Sequence, residues 1–279
     1  MFKLNTGVRQ GGILSPILFA IYIDDIVSNV TASGYGCHIH FVNMGIFLYA
    51  DDIVLLSPTV YGLQKLLNIC ELEFKWLDMQ LNPKKSVCLR IGVRFKSPCC
   101  NILTSSNQVL QWVDSCRYLG IELKAAATFR CEFAQKKKNF YRMFNSVYGR
   151  IGNSASAETL VYLLKTKCLP ILLYGVEAVP INVTDKKVLE LPVNRAFMKI
   201  FKTYSTNVVN DCKFHMYFLP VANLVDVRKA KFLLKYSLSD NIICKTVRNE
   251  SRELQMICEK YDSPTPQVDM TKVWSKAFP

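Results

Sequence analysis

No apolar run in this chain of 279 residues reaches the ~18 positions of a membrane-spanning helix, which argues against a spanning segment. Its opening residues do not read as a signal peptide either. The 11 cysteines are scattered and odd in number, Cys99 and Cys100 are adjacent, and no Cys-x-x-Cys pair occurs. That absence argues against a disulfide framework and against the common structural zinc sites, and points to reduced thiols in an intracellular protein. Cys37-His38-Ile39-His40 has the wrong ligand spacing and no second half nearby, so it reads as strand. Internal repeats and low-complexity tracts are also lacking.

What is present is the composition of a globular protein, 50% hydrophobic and 20% charged, long enough for one large or two ordinary domains. The net charge of +13, with a pI near 9.2, points to a polyanionic partner, nucleic acid before others. The excess sits late: residues 1–120 carry a net +2 and residues 121–279 a net +11. A merely solvated basic surface is the competing account of that charge.

The chain is organised around Tyr49-Ala50-Asp51-Asp52, which interrupts the apolar run Gly45 to Ser57 with two adjacent carboxylates. Strand-length, partly β-branched flanks predict strand, tight turn, strand. Asp suits turns, so an Asp-rich hairpin explains one carboxylate easily and two less easily. Adjacent like charges raise each other's pKa unless a cation is near. Hard oxygens at one point suit Mg²⁺, and a two-metal clamp with ions roughly 3.5–4 Å apart serves phosphoryl transfer.

Upstream, Gly7-Val8-Arg9-Gln10-Gly11-Gly12-Ile13-Leu14-Ser15-Pro16 is a glycine-rich loop feeding a helix. Ser15 is expected as N-cap and Pro16 as the first helical residue, with Phe19, Ile23, Ile26, Val27 and Val30 on one core face. Such a loop can be an anion site, with Arg9 as a phosphate partner, or an ordinary helix entry. Asp24-Asp25, mid-helix, reads as a solvated face.

Taken together, these two blocks resemble the reverse transcriptase of non-LTR (LINE-type) retrotransposons. Leu81-Asn82-Pro83-Lys84-Lys85-Ser86 resembles that family's Asn-x-x-Lys-Ser/Thr segment, and Tyr118-Leu119-Gly120-Ile121 its primer-grip hairpin. The resemblance covers residues 1–123 and thins beyond. It implies a metal-binding, catalytic role for Asp51, with Asp52 in support, and places Tyr49 and Ala50 beside primer and nucleotide. It implies nucleotide or template contact for Arg9, Gln10 and Gly11, and primer contact for Tyr118, Leu119 and Gly120. Lys85, with Lys84 as its rival, is the implied proton donor to pyrophosphate, an effect on the order of 10²–10⁴-fold. An exposed turn is the plain alternative for both lysines.

Helical periodicity over Gly62–Leu77 predicts a second palm helix. Phe129 to Tyr148 reads as a basic helix, in which Lys136, Lys137, Lys138 and Arg142 suit nucleic-acid backbone and Phe133, Phe140, Tyr141, Phe144 and Tyr148 mostly suit a core. Gly149 to Ser156 should break it, and a helix from Ala157 to Cys168 should stop at Leu169-Pro170. Further helices are expected around 185–202 and 221–238, and a flexible tail from Ser263.

The fold class expected is α+β: a partial reverse-transcriptase palm (antiparallel sheet with two helices) over 1–123, followed by an all-helical thumb (124–203) and connector (204–262). The implied reaction is RNA-templated DNA synthesis with Mg²⁺ and deoxynucleoside triphosphates on an RNA template and DNA primer duplex. Family members place another catalytic Asp on a strand upstream of the glycine-rich loop. Here neither it nor the fingers precede that loop, so the chain is expected to be inactive alone. A non-catalytic nucleic-acid-binding remnant is the alternative, and a decayed, unstably folded product is a third.

Overall fold

Pro16 sits in the first turn of α1 (Ser15–Tyr22), where its missing N–H costs nothing. The computed structural model describes residues 11–246, 252–263 and 269–278. They form two compact units dividing between Asp114 and Ser115. Leu14 rather than Ser15 is the N-cap of α1, and it makes no side-chain cap bond. The single helix expected here is two. Ile23 (φ −100°, ψ 4°) ends α1, and α2 (Asp24–Ala32) begins at once. Asp24 and Asp25 are therefore not mid-helix but in a first turn, where carboxylates complement the helix dipole.

The rest of the first unit follows from alternation and helical period. Short strands β1 (His38–Ile39) and β2 (Val42–Asn43) pair antiparallel, and so do β3 (Ile46–Tyr49) and β4 (Asp52–Leu55). Thr59 caps α3 (Val60–Trp76) by accepting from the Gly62 N–H. Ile26 and Val30 of α2 pack with Leu66, Cys70 and Phe74 of α3. The inward strand residues Ile46, Leu48, Ile53 and Leu55 close this core.

Beyond α3 come β5 (Val87–Leu89), β6 (Ile102–Leu103) and β7 (Val109–Val113), in the order β5-β7-β6. The single antiparallel sheet expected is not formed. β7 folds back antiparallel on β6 and so meets β5 in parallel, in a sheet separate from β3–β4. The Gln64 amide accepts from the Leu103 N–H at 2.8 Å and donates to its carbonyl at 2.7 Å, standing in for a strand neighbour at that edge.

The second unit opens with a sheet, so it is not all-helical: β8 (Ser115–Tyr118), β9 (Ile121–Lys124) and β10 (Arg130–Glu132) lie in the order β10-β9-β8. Cys131 opposite Leu123 sets the β9–β10 register, so 130–132 is strand and α4 starts later than expected, spanning Ala134–Ile151. α5 (Ala157–Leu163) continues through a π-helical segment (Leu164–Cys168) into α6 (Leu169–Leu172). Pro170 does not stop the helix, because the Leu169 N–H already reaches back to the Leu164 carbonyl and the widened turn accommodates the ring. A short 3₁₀ turn (Val176–Ala178) leads to α7 (Val183–Ile200), which starts with an Asn182–Asp185 capping box.

The remaining helices are α8 (Thr206–His215), α9 (Val221–Ser237), α10 (Ile242–Thr246), α11 (Arg252–Lys260) and α12 (Met270–Ala277). The tail expected to be flexible from Ser263 holds α12, because Asp269 caps it and Val273 is fully buried; Pro264 and Pro266 lie outside the described residues. The main core joins Phe140 and Phe144 of α4 to Leu164, Leu172, Val193 and Phe197. None of the 11 cysteines is in a disulfide. Burial pushes Cys70 up to about 12 and Cys88 and Cys168 to about 11, which marks packing residues rather than nucleophiles. No described helix is long and apolar enough to cross a membrane.

Two buried charge clusters tie the helices together. Glu190 of α7 holds the buried Lys213 of α8 and accepts from the Val221 N–H at the start of α9 at 2.7 Å. Asp226 of α9, 3% exposed, accepts from Lys186 (2.5 Å), Lys260 (2.6 Å) and the Tyr261 hydroxyl (2.9 Å). Burial pushes its carboxyl up, but the bonds and charges of Lys186 and Lys260 outweigh that and hold it below the ordinary value. Its contribution to stability is therefore complete above the unfolded value near 3.8 and is lost as pH falls through the lower folded value. Asp226→Asn should cost about 3 kcal/mol in urea unfolding at pH 7, and the wild-type advantage should vanish in strong acid.

Candidate active site

The β3–β4 register fixes the hairpin tip: Leu48 faces Ile53 and Tyr49 faces Asp52, leaving Ala50 and Asp51 as a two-residue turn. Leu48 and Ile53 point into the core, so by strand alternation Tyr49 and Asp52 lie on the opposite face. Tyr49 is 63% exposed. Asp51 and Asp52 are both exposed, and neither carboxylate bonds to any other described side chain. Ala50 has φ 51°, the left-handed region where a side chain is strained.

As a donor set, Asp51 and Asp52 fit a hard divalent cation in part. They offer adjacent, unpartnered carboxylate oxygens at a point open to a phosphate ligand. Among the described residues, no group of three or more His, Cys, Asp or Glu is placed to hold a metal ion.

Lys84 and Lys85 are exposed on the turn before β5, where the Lys84 N–H is held by the Asn82 side chain at 3.1 Å and the Lys85 N–H by the Asn82 carbonyl at 3.1 Å. No ion pair joins either lysine to Asp51 or Asp52 among the described residues. Gly11 is exposed with φ 80°, while Arg9 and Gln10 lie outside the described residues.

Tyr118, Leu119 and Gly120 belong to the second unit, as the turn between β8 and β9. Leu119 (φ 45°) and Gly120 (φ 78°) are both left-handed, which matches the twist of a two-residue hairpin. A Cβ at Gly120 would meet the Tyr174 ring at 2.9 Å, so only glycine admits that ring. Sequence reasoning did not single out Tyr174 for this contact, because a pairing across some fifty residues leaves no local signal.

Of the four cations expected to face nucleic acid, the side chains of Lys137, Lys138 and Arg142 make no ion pair or hydrogen bond with described residues, and Lys138 and Arg142 are exposed. Lys136 does not belong with them. It is 7% exposed, donates to the Tyr174 carbonyl, and lies over the Phe133 and Tyr174 rings. Burial lowers its pKa, and the interior carbonyl keeps the ammonium satisfied.

The family model for reverse transcriptase (RNA-dependent DNA polymerase) matches residues 1–123. A retrovirus-related Pol polyprotein from a type-2 retrotransposable element of Drosophila melanogaster is 30% identical over 46% of this chain and 13% of its own length. The Pol polyprotein from a type-1 element of Popillia japonica is 23% identical over 71% of the chain and 33% of its own length. A probable RNA-directed DNA polymerase from the Drosophila transposon BS is 24% identical over 62% of the chain and 20% of its own length. The chain carries a reverse-transcriptase segment of the non-LTR retrotransposon kind. It spans 13% to 33% of the length of these curated relatives. The reverse-transcriptase match contains the whole β3–β4 hairpin, the Lys84–Lys85 turn and the Tyr118–Gly120 turn.

The strained turn of the reverse-transcriptase hairpin makes a prediction. A left-handed alanine costs roughly 1–2 kcal/mol, and glycine's extra unfolded-state freedom returns roughly 0.5–1. Ala50→Gly should therefore stabilise the protein by about 0.5–1 kcal/mol, read as a higher urea midpoint at unchanged m-value.

Proposed function

We propose that this chain is part of a retrotransposon reverse transcriptase whose β3–β4 tip is the carboxylate end of a polymerase palm. The observation that carries this reading is a strained, exposed two-residue turn presenting two unpartnered carboxylates beside an exposed tyrosine. In the parent protein the reaction is RNA-templated DNA synthesis: a primer 3′-hydroxyl attacks the α-phosphate of a deoxynucleoside triphosphate, and pyrophosphate leaves. Asp51 and Asp52 would hold Mg²⁺ in a two-metal arrangement that neutralises charge at the transferring phosphate. Tyr49 and Ala50 border the primer terminus, and Lys85 gives the proton to the departing pyrophosphate. The palm runs to Leu123, and the helices after it serve as thumb and connector. The protein acts inside the cell, as its scattered, odd-numbered cysteines suggest.

By itself the chain should not polymerise, because two carboxylates with no third donor among the described residues make a weak metal site. Purified chain with Mg²⁺ and a primed RNA template should extend no better than its Asp51→Asn variant. Extension by the wild type alone would overturn the claim of inactivity and establish the chain as a polymerase. Weak Mn²⁺ binding, followed by paramagnetic broadening, should be lost in Asp51→Asn; retention would remove the metal role.

A second reading, nucleic-acid binding without catalysis, draws on the exposed cations of α4. Neutralising Lys138 or Arg142 should weaken duplex binding and flatten its salt slope by about 0.9 per contact. Lys136→Gln should instead lower Tm and leave that slope unchanged.

A further inference from the structure

Five rings meet on one side of the second unit, where α8 and α12 pack. Trp274 lies 4.7 Å from Phe278, 5.5 Å from Tyr217 and 5.8 Å from Phe214, centre to centre, and Phe214 is 5.3 Å from His215. Trp274 and Phe278 help bury α12 and so have a structural reason to be there. Tyr217 does not. It is 75% exposed although its ring is tilted only 30° from the plane of Trp274, and Phe214 beside it is 44% exposed.

The backbone sharpens the point. The Phe218 N–H bonds the Lys213 carbonyl at 2.8 Å and the Tyr217 N–H the Phe214 carbonyl at 3.1 Å, the paired bonds of a Schellman cap on α8. The residue at its centre is left-handed and is ordinarily glycine. Here it is Tyr217, at φ 50°. A bulky side chain is kept at a strained position and left in solvent, which stability alone does not explain. Lys165, exposed on the π-helical segment, sets its ammonium 3.4 Å from the Tyr217 carbonyl. The surrounding half of the chain carries a net +11.

We infer that Tyr217, with Phe214 and Lys165, forms a stacking platform for single-stranded nucleic acid. Every base has a face that stacks on an aromatic ring, and an adjacent ammonium takes the phosphate, so the site selects unpaired strands over duplex without reading sequence. It is independent of the β3–β4 hairpin and of the exposed cations on α4.

The test is fluorescence anisotropy of the full chain with a labelled oligouridylate of about a dozen nucleotides, an oligothymidylate of equal length, and a duplex. Tyr217→Gly should weaken both single strands about fivefold or more, leave duplex affinity unchanged, and not lower Tm, because glycine relieves the cap. Unchanged single-strand affinity, or an equal loss for duplex, overturns the inference. Lys165→Gln keeps it testable should Tyr217→Gly fold poorly. It should flatten the single-strand salt slope by about 0.7 while Tm holds, and an unaltered slope overturns the inference equally. Weakening of the oligouridylate alone would make the ligand RNA, and weakening of both makes it any single strand.

Discussion

The face that β3 and β4 turn towards α2 and α3 decides where everything chemical in the first unit points. Strand side chains alternate with period two, so Leu48 and Ile53 can be buried only if Tyr49 and Asp52 are not. A slip of one residue would put both charged and apolar positions on the wrong sides, and the buried leucine and isoleucine make that slip costly. The same packing holds the turn to two residues and forces Ala50 into a left-handed conformation. Strain at the tip is the cost of presenting two carboxylates together at a fixed point, and the hydrophobic core beneath it offsets that cost.

The second unit is held differently. Its helices bury one member of each charge cluster, Lys213 against the partly exposed Glu190 and Asp226 against the partly exposed Lys186 and the half-exposed Lys260. Removing the more exposed partner would strand a charge in the interior, which makes such pairs specific even where they add little net stability. Lys136 satisfies its buried charge with a backbone carbonyl and two aromatic faces instead. A basic chain thus spends part of its positive charge internally, and its net charge overstates what a polyanion meets at the surface.

The hairpin and α3 were legible because each carries a strictly local signal, apolar strand-length flanks about a tight turn in one and 3.6-residue periodicity in the other, although the Thr59 cap that starts α3 two residues earlier was not read. The elements that sequence reasoning misplaced are too short to show such periodicity. Arg130–Glu132 looks like the start of a basic helix until Cys131 finds Leu123 across the sheet. α12 is eight residues long, and its order comes from Val273 and Trp274 meeting distant helices. Within Lys136-Lys137-Lys138 the helical turn of about 100° per residue points one lysine inward, which a charge count cannot register. As for the candidate site, the carboxylates were readable, whereas their open, unpartnered state and the ring of Tyr174 against Gly120 were visible only in three dimensions.

The π-helical segment Leu164–Cys168 has a bearing on how this helix tolerates changes in length. A π turn holds one residue more than an α turn, and so rotates every later side chain by about 100° relative to a continuous α-helix. Leu164 at its start and Leu172 and Leu173 after it all reach one core across that wider turn. Removing a single residue between 164 and 168 would restore regular winding and leave Leu172 facing the core, because the lost residue and the lost rotation cancel, but it would press the Pro170 ring against a carbonyl with no slack to receive it. The surplus residue is thus a local adjustment that makes room for the proline, and the core face is kept in phase across it.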